Sequence, residues 1–489
     1  MATTIDDALR VLLDPALEPI VELVLTQREG VLEAHAVDGS VRFTRGDGGA
    51  FDEREVHGRN PLGDQATDRF SPLHDEVAHR HPRRHQNAYP FAYEQAAQVW
   101  DHAHAPDLVV LHTAAHHWAD QGGHIGEHGS MGAVQARAPF VIAGRGVRAQ
   151  GMVPRAARLV DVAPTVCALL GTAPLADGRL LARQDGEALI DLLDPNERPD
   201  HVVGFLLDGC NPNVLYDAAT RGEAPNIARL MAMGTTFQHG VVSSLPTVTL
   251  ANHTTAMTGC HPGHHGILHN AWWDRERRQQ IVTNSAESWA TAMTFLTPGT
   301  ESVHDAVRRT WADAFTASIN EPADLGAAYS TFDLMRRQVR MGFPKTPDGL
   351  PHATERFVRP FKDYAWYSQV DHHGLEQCLG LLAGRYLDTS YPLPRFVWMN
   401  FTLTDSAFHE GGPHSEIARA SIHDTDGRIG DILDALDRRG VLDRCAFYLV
   451  ADHGMEESNP DVTGDWDLAL ADAGLDVRDE AYGFLYLNP

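Results

Sequence analysis

The chain is short of cysteine, of long apolar runs and of basic charge, and each shortage closes off a class of protein. Its five cysteines, Cys167, Cys210, Cys260, Cys378 and Cys445, are scattered, odd in number and form no C-x-x-C pair. That excludes a disulfide framework or a thiolate zinc site and points to a reducing compartment. No apolar stretch approaches the length of about 18 residues that reads as a membrane span. The opening Met1-Ala-Thr-Thr-Ile-Asp-Asp carries no basic region ahead of an apolar one. The expectation is a cytoplasmic protein with neither membrane span nor signal peptide. A net charge of −26 argues against a nucleic acid polymer as partner. There is no P-loop, internal repeat or low-complexity segment. The G-x-G-x-x-A match at Gly144 to Ala149 is followed by Gly151 and Pro154, so it reads as a turn and not as a dinucleotide site.

What is present describes a globular protein, with 43% hydrophobic and 22% charged residues over a length of 489. Short β-branched runs alternate with helical patterns, which predicts an α/β fold: a mainly parallel central sheet with helices on both faces. Candidate strands are 108–111, 140–143, 202–207, 396–403 and 447–450. Pro225 to Met233 reads as a connecting helix opened by its proline. Ile422, Ile429, Ile432, Leu433 and Leu436 recur at helical spacing before Gly440. Residues from about 275 to 390 are less regular and aromatic-rich, which suggests an inserted cap over the site, with most of its rings packed in the cap's own core.

Three of those strands lead to acidic residues: Asp208 in FLLDG, Asp405 with His409 in TLTDSAFHEGG, and Asp452 with His453 in YLVADHGM. His128 in GEHGSM adds a further imidazole. Open α/β sheets place ligands beyond the carboxyl ends of their strands. Carboxylates and imidazoles without thiolates suit zinc or a similar divalent ion, and six such ligands divide into two sites of three. Any one of these patches alone fits an ordinary turn or helix start; it is their combination that points to a two-metal hydrolase. Thr249 opens a stretch that reads as a helix stopping at Gly259, so its hydroxyl sits at a helix N-terminus, which favours developing negative charge. That makes Thr249 the candidate nucleophile. Of the 28 histidines most need no ligand role. His79, His81 and His85, among arginines, read as solvated, whereas His124 is placed to touch the site or its substrate.

These motifs together resemble the alkaline phosphatase superfamily, and within it the nucleotide pyrophosphatase/phosphodiesterase branch. The carriers are Asp208 after an opening strand, the segment Thr249-Leu250-Ala251-Asn252-His253, and Thr258-Gly259 through His265-Gly266-Ile267 to Asn270. Asp405/His409 and Ala451-Asp452-His453-Gly454-Met455 complete the set. The resemblance implies that Asp208, Thr249, Asp452 and His453 hold one metal and that Asp405, His409 and His128 hold the other. It implies two divalent ions, zinc by ligand type, and a hydrogen bond from Asn270 to a phosphate oxygen.

Two departures stand out. Leu250 replaces the aromatic that usually follows the nucleophile and belongs to a nucleobase pocket. The second is order: GEHGSM and Asp161-Val-Ala-Pro-Thr-Val-Cys-Ala-Leu-Leu-Gly171 close the family's domain, yet here they precede its opening strand. A circular permutation accounts for this. Residues 1–193 would supply the closing portion with His128, residues 200–489 would supply the opening portion with nucleophile and cap, and together they would form one composite catalytic domain. The alternatives are a separate first domain, or a first block that completes a neighbouring subunit's site in a homo-oligomer. The expected function is metal-dependent hydrolysis of a small phosphate ester, as a phosphodiesterase or nucleotide pyrophosphatase. The rivals are a phosphomonoesterase, a phosphonate hydrolase and a non-catalytic binding protein.

Overall fold

The computed structural model describes residues 2–119, 122–339 and 362–489. Two sheets organise them. The larger has eight strands, in the order Tyr329–Ser330, Thr316–Ile319, Phe396–Phe401, His201–Leu207, Cys445–Val450, Phe140–Gly144, Gly234–Phe237 and Gly151–Val153. The first five run parallel; Phe140–Gly144 pairs antiparallel with both its neighbours, and Gly151–Val153 pairs parallel with Gly234–Phe237. Phe396–Phe401 and Cys445–Val450 are buried at every position. That is what uninterrupted apolar runs become when helices cover both faces of a sheet.

The helices follow their sequence signals. Thr249–Thr258 ends at Gly259 with φ +69°, Pro225–Ala232 begins on its proline, and Glu416–Arg438 is followed by Gly440 at φ +69°. The predicted strand 396–403 stops at Phe401, because Leu403 already opens the helix Leu403–Gly411.

The second sheet has seven strands and is antiparallel throughout, in the order Val477–Glu480, Phe484–Leu487, Leu108–His112, Val21–Arg28, Val31–Ala36, Gly39–Arg45 and Phe51–Gly58. The strand expected at 108–111 belongs here and not to the parallel sheet. Its neighbours explain why: it pairs with Val21–Arg28 on one side and Phe484–Leu487 on the other. Leu23, Leu25, Val109, Leu111, Phe484 and Tyr486 share a core with Leu245, Leu250 and Ile267, so this sheet packs against the segment that carries Thr249. Leu250 is only 1% exposed within that core.

The two halves of the chain are interleaved. Phe140–Gly144 and Gly151–Val153 lie in the parallel sheet, while the strands after residue 476 lie in the antiparallel one. The Thr3 N–H donates to Asn488 Oδ1 at 2.9 Å, and Asn488 Nδ2 donates back to the Thr3 carbonyl at 2.9 Å. Within 275–390, Thr316–Ile319 and Tyr329–Ser330 extend the parallel sheet, and helix Val303–Thr310 packs on helix Val162–Leu170. No helix among the described residues is long and apolar enough to cross a membrane.

Candidate metal centre and active site

Three neighbouring parallel strands bring the carboxylates together. Asp208 follows His201–Leu207 directly, Asp452 lies just past Cys445–Val450, and Asp405 sits in the first turn of helix Leu403–Gly411 after Phe396–Phe401. Gly209 makes the close approach feasible. At φ +62° it occupies the left-handed region, and a Cβ there would stand 2.5 Å from Asp405 Oδ1. Its N–H donates to Asp452 Oδ1 at 3.0 Å. Thr404 Oγ1 donates to the Asp208 carbonyl at 2.6 Å, which ties the second strand's helix to the first strand's end.

The three expected histidines are oriented alike. His128 Nδ1 donates to the Thr247 carbonyl at 2.8 Å, His409 Nδ1 to the Gly126 carbonyl at 2.7 Å and His453 Nδ1 to the Gly454 carbonyl at 2.9 Å. A carbonyl can only accept, so each ring carries a proton on Nδ1 and turns its Nε2 to the site. That is how ligating imidazoles are held when their second nitrogen is anchored. His409 Nε2 lies 3.5 Å from Asp405 Oδ1, and His453 Nε2 lies 3.0 Å from Asp452 Oδ2. The His128 and His453 rings stack at 3.7 Å.

Ligand atoms converge in three overlapping groups, each within 4.8 Å: His128 with Asp405 and His409; Asp208 with Asp405 and His453; Asp208 with His253 and Asp452. The first is the trio expected for one metal, assembled within a single chain. The other two divide the ligands expected for the second metal, Asp452 falling in one and His453 in the other with Asp208 in both; one adds Asp405, expected only at the first metal, and the other adds His253, named above only within the segment that carries Thr249. Asp208 Oδ1, Asp405 Oδ1, Asp452 Oδ2, His453 Nε2 and His253 Nε2 are all buried without a hydrogen-bond partner. Buried polar atoms are almost always satisfied, and five orphans facing one another are the fit a divalent cation would relieve.

Electrostatics tell the same story. Burial, then Asp452 and Asp405, push Asp208 up to about 8. Burial alone would raise Asp452 too, but His453 and His253 outweigh it and hold that carboxyl well below its ordinary value. Burial would lower His453, yet Asp452 and the other carboxylates lift it to about 9. Burial, with His453 and His409 nearby, drives His128 well below its usual range.

Thr249 is the first residue of helix Thr249–Thr258, one turn before His253, so the two share a helix face. His253 Nε2 lies 3.5 Å from Asp208 Oδ2 and 3.4 Å from Asp452 Oδ2, which sets that face over the two carboxylates. His253 Nδ1 is held by Glu321 at 3.0 Å, and Glu321 also accepts from Trp398 Nε1 at 3.1 Å and the Ala323 N–H at 2.8 Å. The turn before Thr249 is locked to the His128 loop, since the Gly129 N–H donates to Thr247 Oγ1 and Thr247 Oγ1 donates to the Ser130 carbonyl. Asn270, His128, His409 and His124 line one cavity of about 300 Å³. The Asn270 side-chain oxygen is buried with no partner. The His124 ring lies 4.7 Å from that of His409, where the sequence placed it. The cavity's aromatic lining is Trp118, Tyr482 and Phe484, with none from the 275–390 stretch among the described residues.

Past its strand ends the α/β sheet gathers three aspartates with His409 and His453, and the loop after Gly126–Glu127 adds His128. A family model described as type I phosphodiesterase / nucleotide pyrophosphatase matches residues 202–489, and the chain belongs to that family. The alkaline phosphatase PafA of Elizabethkingia meningoseptica is 31% identical over 91 residues, covering 19% of this chain and 17% of that protein. Mouse ectonucleotide pyrophosphatase/phosphodiesterase family member 3 is 22% identical over 265 residues, 53% of this chain and 25% of that one. Among solved structures, murine ectonucleotide pyrophosphatase/phosphodiesterase 5 aligns at 17% identity with a TM-score of 0.36, covering 52% of this chain and 57% of that chain. The chain thus spans a quarter or less of these curated relatives' length.

Proposed function

We propose that the protein is a metal-dependent phosphodiesterase in which Thr249 is the nucleophile. The observation that carries this reading is the set of orphaned, mutually facing ligand atoms beside a threonine at a helix N-terminus. Asp208, Thr249, Asp452 and His453 would hold one divalent ion, and Asp405, His409 and His128 the other; the donor set suits zinc. Bound ions would supply charge neutralisation and activation of the attacking oxygen. Thr249 Oγ loses its proton to solvent and bonds to phosphorus as the bond to the departing alcohol breaks, and that alkoxide takes a proton from water. Asn270 donates to a non-bridging oxygen. Water then attacks the phosphothreonine, releasing the phosphomonoester and restoring the hydroxyl.

A diester suits the site better than a monoester. Among the described residues no lysine or arginine lines the cavity, so none of these offers a guanidinium or ammonium to a monoester's second negative charge. Thr249→Ala is expected to lower turnover of bis-p-nitrophenyl phosphate by about 1,000-fold or more, with metal content of the purified protein unchanged. Activity near wild type would require another nucleophile. A kcat/KM favouring p-nitrophenyl phosphate over the diester would return the monoesterase reading.

The interleaving of strands supports a circular permutation in which residues 1–193 and 200–489 make one composite catalytic domain. Five buried, unpaired thiols favour a reducing compartment such as the cytoplasm.

A further inference from the structure

Resting on the phosphodiesterase reading, we infer that His269 is a second hydrogen-bond donor to the bound phosphoryl group, set beside Asn270. Both residues line the cavity that His128 and His409 also line, and His269 is 7% exposed. The Asn270 backbone N–H donates to His269 Nδ1 at 2.8 Å. A peptide N–H can only donate, so Nδ1 is bare and the ring carries its proton on Nε2. That is the reverse of His128 and His409, whose Nδ1 atoms are protonated and donate to carbonyls. His269 also stands outside all three ligand groups. One cavity thus holds imidazoles of two kinds, two set to ligate through Nε2 and one set to donate from it.

The donor is held in place before substrate arrives. Thr283, itself wholly buried, donates from its N–H to the Asn270 carbonyl at 2.9 Å and from Oγ1 to the His269 carbonyl at 3.0 Å. The buried Phe484 packs edge-on against the imidazole at 4.7 Å. His269 Nε2 makes no hydrogen bond among the described residues, so its N–H is left for a ligand. Burial pushes the ring from 6.5 down to about 3, which keeps it neutral wherever the metal ligands are ionised. A neutral N–H suits a diester, whose single charge is spread over two non-bridging oxygens. Hydrogen bonds to charged acceptors are the stronger kind, and a donor already fixed in position costs no reorganisation as that charge shifts.

Two substitutions separate a donor to substrate from a prop for Asn270. In His269→Asn the side-chain oxygen can replace Nδ1 and keep the Asn270 N–H, but the amide nitrogen falls short of the Nε2 position. In His269→Gln the amide nitrogen reaches that position, and the contact with the Asn270 N–H is given up. In metal-loaded protein, kcat/KM on bis-p-nitrophenyl phosphate should fall by about tenfold or more in His269→Asn and stay within about threefold of wild type in His269→Gln. A second measurement needs no variant to fold: metal-loaded wild type crystallised with inorganic phosphate should place Nε2 about 2.9 Å from a phosphate oxygen. Equal activity in the two metal-loaded variants, the reverse order, or a bound phosphate more than about 4 Å from Nε2 overturns the inference. Wild-type protein that leaves bis-p-nitrophenyl phosphate intact sinks the phosphodiesterase reading itself, whereas turnover with the reverse order sinks only the role of His269.

Discussion

His253 does two jobs at the centre of the molecule. Its Nε2 faces Asp208 and Asp452, while its Nδ1 is held by the wholly buried Glu321. Burial would strip the ring of its proton, but Glu321 and the two aspartates hold its pKa well above the ordinary value. His253 is therefore a positioning residue that keeps two carboxylates parallel and close. Glu321→Gln weakens the hold on the ring and is expected to lower zinc affinity by roughly 10- to 100-fold, measured by competition with a chromophoric chelator. Unchanged affinity would make the contact mere packing. Gly209→Ala acts through sterics alone. The added methyl meets Asp405 at 2.5 Å in a left-handed backbone, so metal content and turnover should both fall while the fold persists. The candidate carboxylates and imidazoles were legible because they fall in short motifs at or near strand and helix ends. The four-residue step from Thr249 to His253 was equally legible, since one helical turn sets both on one face. Glu321 carried no local signal: it reaches the site from the end of Thr316–Ile319, and only the fold brings that strand beside Phe396–Phe401.

At the scale of elements, the buried parallel strands declared themselves by uninterrupted apolar runs, and the antiparallel sheet did not. Phe51–Gly58, with the sequence FDEREVHG, has seven exposed positions of eight, so it shows no apolar face to detect. The turn between Val21–Arg28 and Val31–Ala36 was detectable in principle. Glu29 and Gly30 both have positive φ, the geometry of a tight hairpin turn. Two charged histidines then tie the elements of the first 193 residues to the rest. His264 lies 2.7 Å from Asp185 and 2.8 Å from Asp101, and His414 lies 2.9 Å from Glu76 and 3.2 Å from Glu457. In each case burial lowers the pKa but the carboxylates outweigh it, lifting the ring from 6.5 to about 9. A pKa raised on folding contributes stability that is fully present below 6.5 and is lost as pH rises through about 9. Solvent screening makes the third-exposed His264 the smaller contributor of the two. Thermal melting of the metal-loaded protein should thus fall by a few degrees across that window. The double variant His264→Gln/His414→Gln should flatten the fall, and an equally steep one in that variant would place the dependence elsewhere.

For the whole molecule, the order of segments matters less than their interleaving. Phe140–Gly144 lies between Cys445–Val450 and Gly234–Phe237, so without residues 1–193 the parallel sheet loses an inner strand and bares the edge that carries Asp452. The same deletion removes His128, and with it one member of the trio containing Asp405 and His409. Residues 200–489 expressed alone are therefore expected to aggregate through that edge and to retain no diesterase activity. Full activity in the fragment would show that His128 is dispensable. A rearranged chain separates order from content. Joining residue 489 to residue 2 by a short flexible linker spans a gap already closed by the Thr3–Asn488 hydrogen bonds. New ends at 194–199 fall in a stretch where Pro195, Asn196, Glu197 and Arg198 are exposed. Because every strand pairing and every ligand survives that rearrangement, the permuted chain should bind the same metal complement and keep kcat/KM on bis-p-nitrophenyl phosphate within about threefold. Loss of activity in a folded, metal-loaded permutant would mean that the natural connection through 194–199 positions the site, and that the two portions do not simply add up to one domain.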